Sequence, residues 1–150
     1  CSVSAGTIYN YYESKADLLG DTIESIWREI FFNPEDEQAF NDVAACISWI
    51  YKRLEYGNEQ FPGFFSLHSL GFMKDEKMDG KKKMLQTWGH ILNGLCDILK
   101  NDPKIRPDVF DEQFTEKQFA DILFSLILVS MIRQDYNPSS ILMLINKTLY

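Results

Sequence analysis

The sequence predicts an all-α protein, and three observations carry that expectation. Apolar residues recur at intervals of three and four over long runs, as one face of a helix requires. No stretch alternates convincingly with period two, as a half-buried strand would, and no internal repeat is visible. Breakers such as Pro34, Pro62-Gly63, Asn101-Asp102-Pro103 and Asn137-Pro138-Ser139 fall between those runs.

Taken in order, the first run suits a short helix, a tight turn and the start of a second helix. Ser4 serves as N-cap of the first, its hydroxyl accepting from an otherwise orphaned backbone N–H. Ile8 and Tyr12, one turn apart, share a buriable face, while Thr7, Asn10 and Tyr11 point their hydrogen-bonding tips elsewhere. Ser14 caps the next helix, with Asp17 as a weaker form of the capping-box acid. That helix runs to about Phe32, with Leu18/Leu19, Ile23, Ile26/Trp27 and Ile30/Phe31 at helical spacing, and Pro34 stops it. A further helix is expected from about Asp36 to Tyr56, with Phe40, Val43, Ile47, Ile50 and Leu54 on one stripe and Trp49 off it. Gly57-Asn58-Glu59 marks its end.

Residues 59–73 are the least regular part, with Pro62-Gly63 as a turn and Phe64 to Leu70 suited to a short helix. The charged stretch Lys74 to Lys83 reads as a solvated helix start or loop. Met84, Leu85, Trp88, Ile91/Leu92, Leu95 and Leu99 then define an amphipathic helix to about Lys100. Beyond a loop around Arg106-Pro107-Asp108, Thr115 opens a helix to about Gln134, and Ser140 to about Tyr150 forms the last.

At 150 residues and 45% hydrophobic content, the chain suffices for one sizeable core. The net charge of −7 is wrong for a protein gripping a polyanion over its whole surface. Cys1, Cys46 and Cys96 show no metal-ligand spacing, and reduced thiols in a cytoplasmic protein are the simple expectation. The longest apolar run, Ile122 to Ile132, is too short to span a membrane. The two histidines, His68 and His90, belong to no HxxxH, CxxC or HxxE pattern, and no phosphate-binding glycine loop or GxSxG elbow occurs. No catalytic residues, metal or cofactor are therefore expected, and the protein is not expected to be an enzyme.

The run Val3-Ser4-Ala5-Gly6-Thr7-Ile8-Tyr9-Asn10-Tyr11-Tyr12-Glu13-Ser14-Lys15-Ala16-Asp17-Leu18-Leu19 resembles the second half of the helix-turn-helix of the tetracycline-repressor (TetR) family. Tyr12 stands where that family usually has Phe, and Ser2 where it usually has Gly. The likeness covers only about the first 20 residues. It implies that residues 1–19 are the C-terminal part of a helix-turn-helix whose preceding helix is missing here, and that residues 20–150 form a helical effector-binding and dimerisation body. It further implies that Ala5, Thr7, Asn10 and Tyr11 face the major groove, with Gly6, Tyr9 and Lys15 on phosphates and Ser4 at the helix start. A small-molecule pocket inside the body follows from the same likeness. Its candidate lining residues are Trp27, Phe31, Trp49, Phe65, His68, Met73 and Trp88, with Asn93 and His68 for polar contacts, which suits a hydrophobic or aromatic effector.

The dimer is argued from helical phase. Lys117, Asp121, Phe124, Leu128, Met131 and Asp135 share a narrow sector at about 100° per residue, apolar in its middle and charged at its ends. The opposite sector, with Phe119, Leu123, Leu126 and Ser130, is left to contact the monomer's own core. With the excess of apolar positions in the last helix, the expected homodimer interface is Phe124, Leu128, Met131, Ile141, Leu142 and Ile145. The expectation is thus a ligand-responsive transcriptional repressor that binds a palindromic double-stranded DNA operator. The rivals are a helical protein–protein interaction domain and a small-molecule carrier.

Overall fold

The computed structural model describes residues 15–32, 37–65 and 78–150, with side chains over 22–32, 39–65, 86 and 88–150. Its elements are α1 (Lys15–Phe31), a 3-10 turn (Glu37–Phe40), α2 (Val43–Gln60), α3 (Met78–Asn101), α4 (Glu116–Arg133) and α5 (Ser139–Leu149). The fold is all-α, and no strand occurs among the described residues. No helix among them is long and apolar enough to cross a membrane.

The centre of the core is α2. Val43, Cys46, Ile47, Ile50, Tyr51 and Leu54 recur on one face and are all buried there. Full burial of each large aliphatic side chain contributes about 1.5–3 kcal/mol. Around α2 lie α1, α3 and α5, while α3 also packs along α1 on one side and α4 on another. Three hydrogen bonds, from two side chains of α2, fix the arrangement. The Arg53 guanidinium donates to the backbone carbonyls of Glu29 and Ile30, satisfying orphan acceptors at the end of α1. Tyr51 on α2 and Ser130 on α4 share a hydroxyl–hydroxyl bond of 2.6 Å.

Both ends of α2 differ from the expected helix of residues 36–56. The start moves because Asp42, in extended backbone, accepts from the Ala45 N–H at 2.7 Å and caps the helix there, leaving Glu37–Phe40 as a separate turn. Phe40, expected on the buried stripe, is half exposed. The end moves because Gly57 is not a terminator. It is buried beneath Ile30 and Phe65, a close approach that lets α1 and α2 cross.

Asp102, just past the end of α3, is a buried carboxylate (7% exposed) that joins three segments. One oxygen accepts from the Val43 backbone N–H (3.0 Å) and the Tyr150 hydroxyl (2.6 Å), and the other from the Lys104 N–H (2.9 Å). It therefore satisfies a donor in the first turn of α2 from another part of the chain. Burial, then the bond to Asp102, pushes the Tyr150 hydroxyl above its ordinary range. Arg106 closes the far side, donating from its backbone to Leu149 and from its side chain to Thr148 at the end of α5.

Nearby, the Lys104 ammonium bonds Asp42 at 2.6 Å, and this bond, followed by the Ala45 N–H, holds the Asp42 carboxyl below its ordinary value. A group depressed in the folded state stabilises above its unfolded value, and that stability is lost as pH falls through the folded one. The thermal midpoint should therefore be insensitive to Asp42 from pH 7 to about 5 and decline below about 4. Thermal melts of Asp42→Asn should show a shallower acid decline than the parent; an identical decline would exclude Asp42 as a source.

A capping box sets the start of α4: the Thr115 hydroxyl accepts from Gln118 N–H while the Gln118 side chain accepts from Thr115 N–H. Its end is Gln134 in the left-handed region, φ 53°. The buried face of α4 is Phe119, Ala120, Leu123, Ile127 and Met131, and that of α5 is Ile141, Ile145 and Leu149. This corrects the expected dimer face. Met131, Ile141 and Ile145 belong to the monomer's own core, while Phe124, Leu128 and Leu142 are partly buried against it. Phe124 packs edge-on against Trp88 of α3, with ring centroids 5.8 Å apart. Leu126, expected to face the core, is instead exposed. The apolar residues left free are Ile122, Leu126, Val129 and Ile132 on α4 and Met143 and Leu144 on α5.

Candidate ligand site

An aromatic chain runs from the 3-10 turn into the body. Phe40 packs edge-on against Trp49 (5.2 Å between centroids), Trp49 meets Phe31 (6.2 Å), and Phe31 stacks on Trp27 (5.8 Å, 12° between planes). The Trp27 ring is then held by Phe64 and Phe65 at 5.3 and 5.5 Å. Such pairs contribute about 0.5–1.5 kcal/mol beyond burial, so this wall is pre-formed. It owes its line to helical spacing: Trp27 and Phe31 are one turn apart on α1, and Trp49 projects from α2 toward them.

Two adjoining cavities lie along this wall. The larger, about 540 Å³, is bounded by Glu24, Trp27, Arg28, Phe31 and Phe32 of α1 and by Gln86, His90 and Ile91 of α3. The smaller, about 180 Å³, lies against α2 and opens to solvent past Phe32 and Phe40. Phe31, Phe32, Phe40, Cys46, Trp49, Ile50, His90, Ile91, Gly94, Leu95 and Ile98 line it. Phe31, Phe32, His90 and Ile91 belong to both.

The electrostatics of the two differ. In the larger, Arg28 and Glu24 form an exposed ion pair at 3.1 Å, one turn apart on α1. The smaller is nearly all apolar. Its Cys46 thiol is pushed up to about 12, by desolvation first and the negative charge of Asp42 second, so it stays neutral and unreactive at physiological pH. Among the described residues, no group of three His, Cys, Asp or Glu could hold a metal ion.

Of the expected pocket residues, the fold brings Trp27, Phe31 and Trp49 to the cavities. Phe65 is buried core behind Trp27. Trp88 is directed to α4, where it packs on Phe124, and Asn93 is exposed, so neither lines either cavity. Trp49 lines the smaller cavity and Trp88 lines neither, so these two tryptophans do not share one of them. His68 and Met73 lie outside the described residues, as do Ser4, Ala5, Gly6, Thr7, Tyr9, Asn10, Tyr11 and the Lys15 side chain.

Sequence reasoning missed His90, Phe32, Glu24 and Arg28. The available signal was modest: Glu24 and Arg28 lie one turn apart on the same helix as Trp27 and Phe31. Compared with models of protein families, with curated proteins and with solved structures, the chain matches none of them.

Proposed function

We propose that this chain is part of a ligand-responsive, DNA-binding transcriptional regulator of the TetR type, acting as a repressor that a small molecule releases from its operator. The observation that carries the reading is the course of α1. This one helix begins at Lys15, inside the run that resembles the family's DNA-reading segment, and ends at Phe31, on the wall of both cavities. A molecule that fills the cavity bears on a rigid rod joined to the reading segment, so occupation and DNA binding share one mechanical element. In this reading residues 1–19 contact DNA and the remainder binds effector and dimerises.

The homodimer is proposed on the free apolar face of α4, Ile122, Leu126, Val129 and Ile132, with Met143 and Leu144 of α5. Exposed apolar residues recurring along one face of a helix suit an interaction surface, and a second copy presents the same face.

The test is selection of genomic fragments by the full-length protein. Palindromic sites should be enriched, and Ile122→Glu with Val129→Glu should give monomers by analytical ultracentrifugation and lose those sites, because one head reads only a half-site. Absence of sequence-selective enrichment would overturn the regulator reading in favour of an interaction domain or carrier. Site binding by a variant that stays dimeric would place the interface elsewhere.

A further inference from the structure

Granting that the two cavities are the effector site, the geometry points to an uncharged, two-part ligand: a flat apolar body no larger than one or two rings, carrying a neutral hydrogen-bonding head. The smaller cavity sets the body. A cavity of about 150 Å³ holds a benzene molecule, and the space here is about 180 Å³. Its walls are Phe31, Trp49, Ile50, Leu95 and Ile98, with no carboxylate or ammonium among its lining residues. A charged group seated against these apolar walls would give up part of its water and meet no carboxylate, ammonium or guanidinium in return.

The larger cavity sets the head. Its charged lining residues are Glu24 and Arg28, already joined to each other at 3.1 Å. An anion drawn to the guanidinium meets the carboxylate beside it, and a cation drawn to the carboxylate meets the guanidinium, so neither sign gains much. Gln86 and His90 face the pair from α3 and are exposed. Both side chains hold a donor and an acceptor when uncharged. A hydroxyl or amide head matches them without breaking the ion pair, and His90, common to both cavities, stands where head and body join.

Three probes sharing one ring system separate the possibilities: 2-naphthylmethanol, 2-naphthoate and 2-naphthylmethylamine, titrated into the full chain at pH 7 by calorimetry and tryptophan fluorescence. The alcohol should bind about tenfold or more tighter than either charged congener. Gly94→Phe should weaken it by about tenfold or more, because Gly94 lines the smaller cavity, a Cβ there meets no atom within 4 Å, and a ring built on it would compete for the ligand's space. Gly94→Leu gives the same comparison if the phenylalanine variant does not fold. A charged congener that binds as tightly as the alcohol, and is still blocked at Gly94, overturns the uncharged head and leaves the effector site standing. Binding of no probe, or binding indifferent to Gly94, overturns both.

Discussion

Asp102→Ala should lower the unfolding free energy by about 3 kcal/mol in urea denaturation. The carboxylate accepts three hydrogen bonds, from Val43, Lys104 and Tyr150, and bonds to a charged acceptor are worth about 1.5–3 kcal/mol each when water cannot substitute. Lys104 is an exposed residue and Tyr150 a half-buried one, so solvent substitutes more readily at those two donors than at Val43. Val43 is 1% exposed, and its N–H in the first turn of α2 is left with no partner. Asp102→Asn should also destabilise, because its amide group would confront either the Lys104 N–H or the Val43 and Tyr150 donors. A loss below about 1 kcal/mol for the alanine variant would mean that solvent replaces the carboxylate at all three donors.

Gly57→Val should cost a similar amount, about 3 kcal/mol, by overpacking. A Cβ at this position would lie 2.8 Å from Ile30 Cδ1 and 3.0 Å from both Ile30 Cγ1 and Phe65 Cζ. Neither neighbour has room to withdraw: Ile30 is fully buried, and the Phe65 ring is held between Trp27 and Phe64. The helix-propensity gain on losing glycine, at most about 1 kcal/mol, is too small to offset this. Gly94→Ala is the control, since its Cβ meets nothing within 4 Å and the substitution should gain about 0.5–1 kcal/mol. Thermal melts of the pair should move in opposite directions. A neutral Gly57→Val would show that α1 and α2 are free to move apart there.

Helix positions were largely legible because they are written locally. Thr115 and Gln118 make a capping box four residues long, and the Asn137-Pro138 turn separates α4 from α5. Where tertiary contact decides, local rules misled. Gly57 looks like a helix end and is a crossing point, a distinction that depends on Ile30, 27 residues away in sequence. The phase of α4 was misjudged because the helix is apolar on nearly every side, so the pattern does not say which stripe is buried. The aromatic members of the candidate site, Trp27, Phe31 and Trp49, were visible as bulky residues on converging helices. Trp88 was not separable from them until α3 was placed: it lies about 160° around that helix from His90, which faces the cavities.

The Asp102 junction also bears on the order in which the molecule assembles. Its bonds span 59 residues to Val43 and 48 to Tyr150. Closing loops of that length carries an entropic cost that local helix formation does not, so these bonds are expected to form after α2, α3 and α5 have met rather than to guide them together. Interactions absent from the folding transition state leave the folding rate nearly unchanged and act almost wholly on the rate of unfolding. The buried carboxylate is therefore expected to act as a latch on lifetime: Asp102→Ala should speed unfolding and leave the folding rate nearly unchanged in stopped-flow measurements, and a slowed folding limb would place the junction in the transition state.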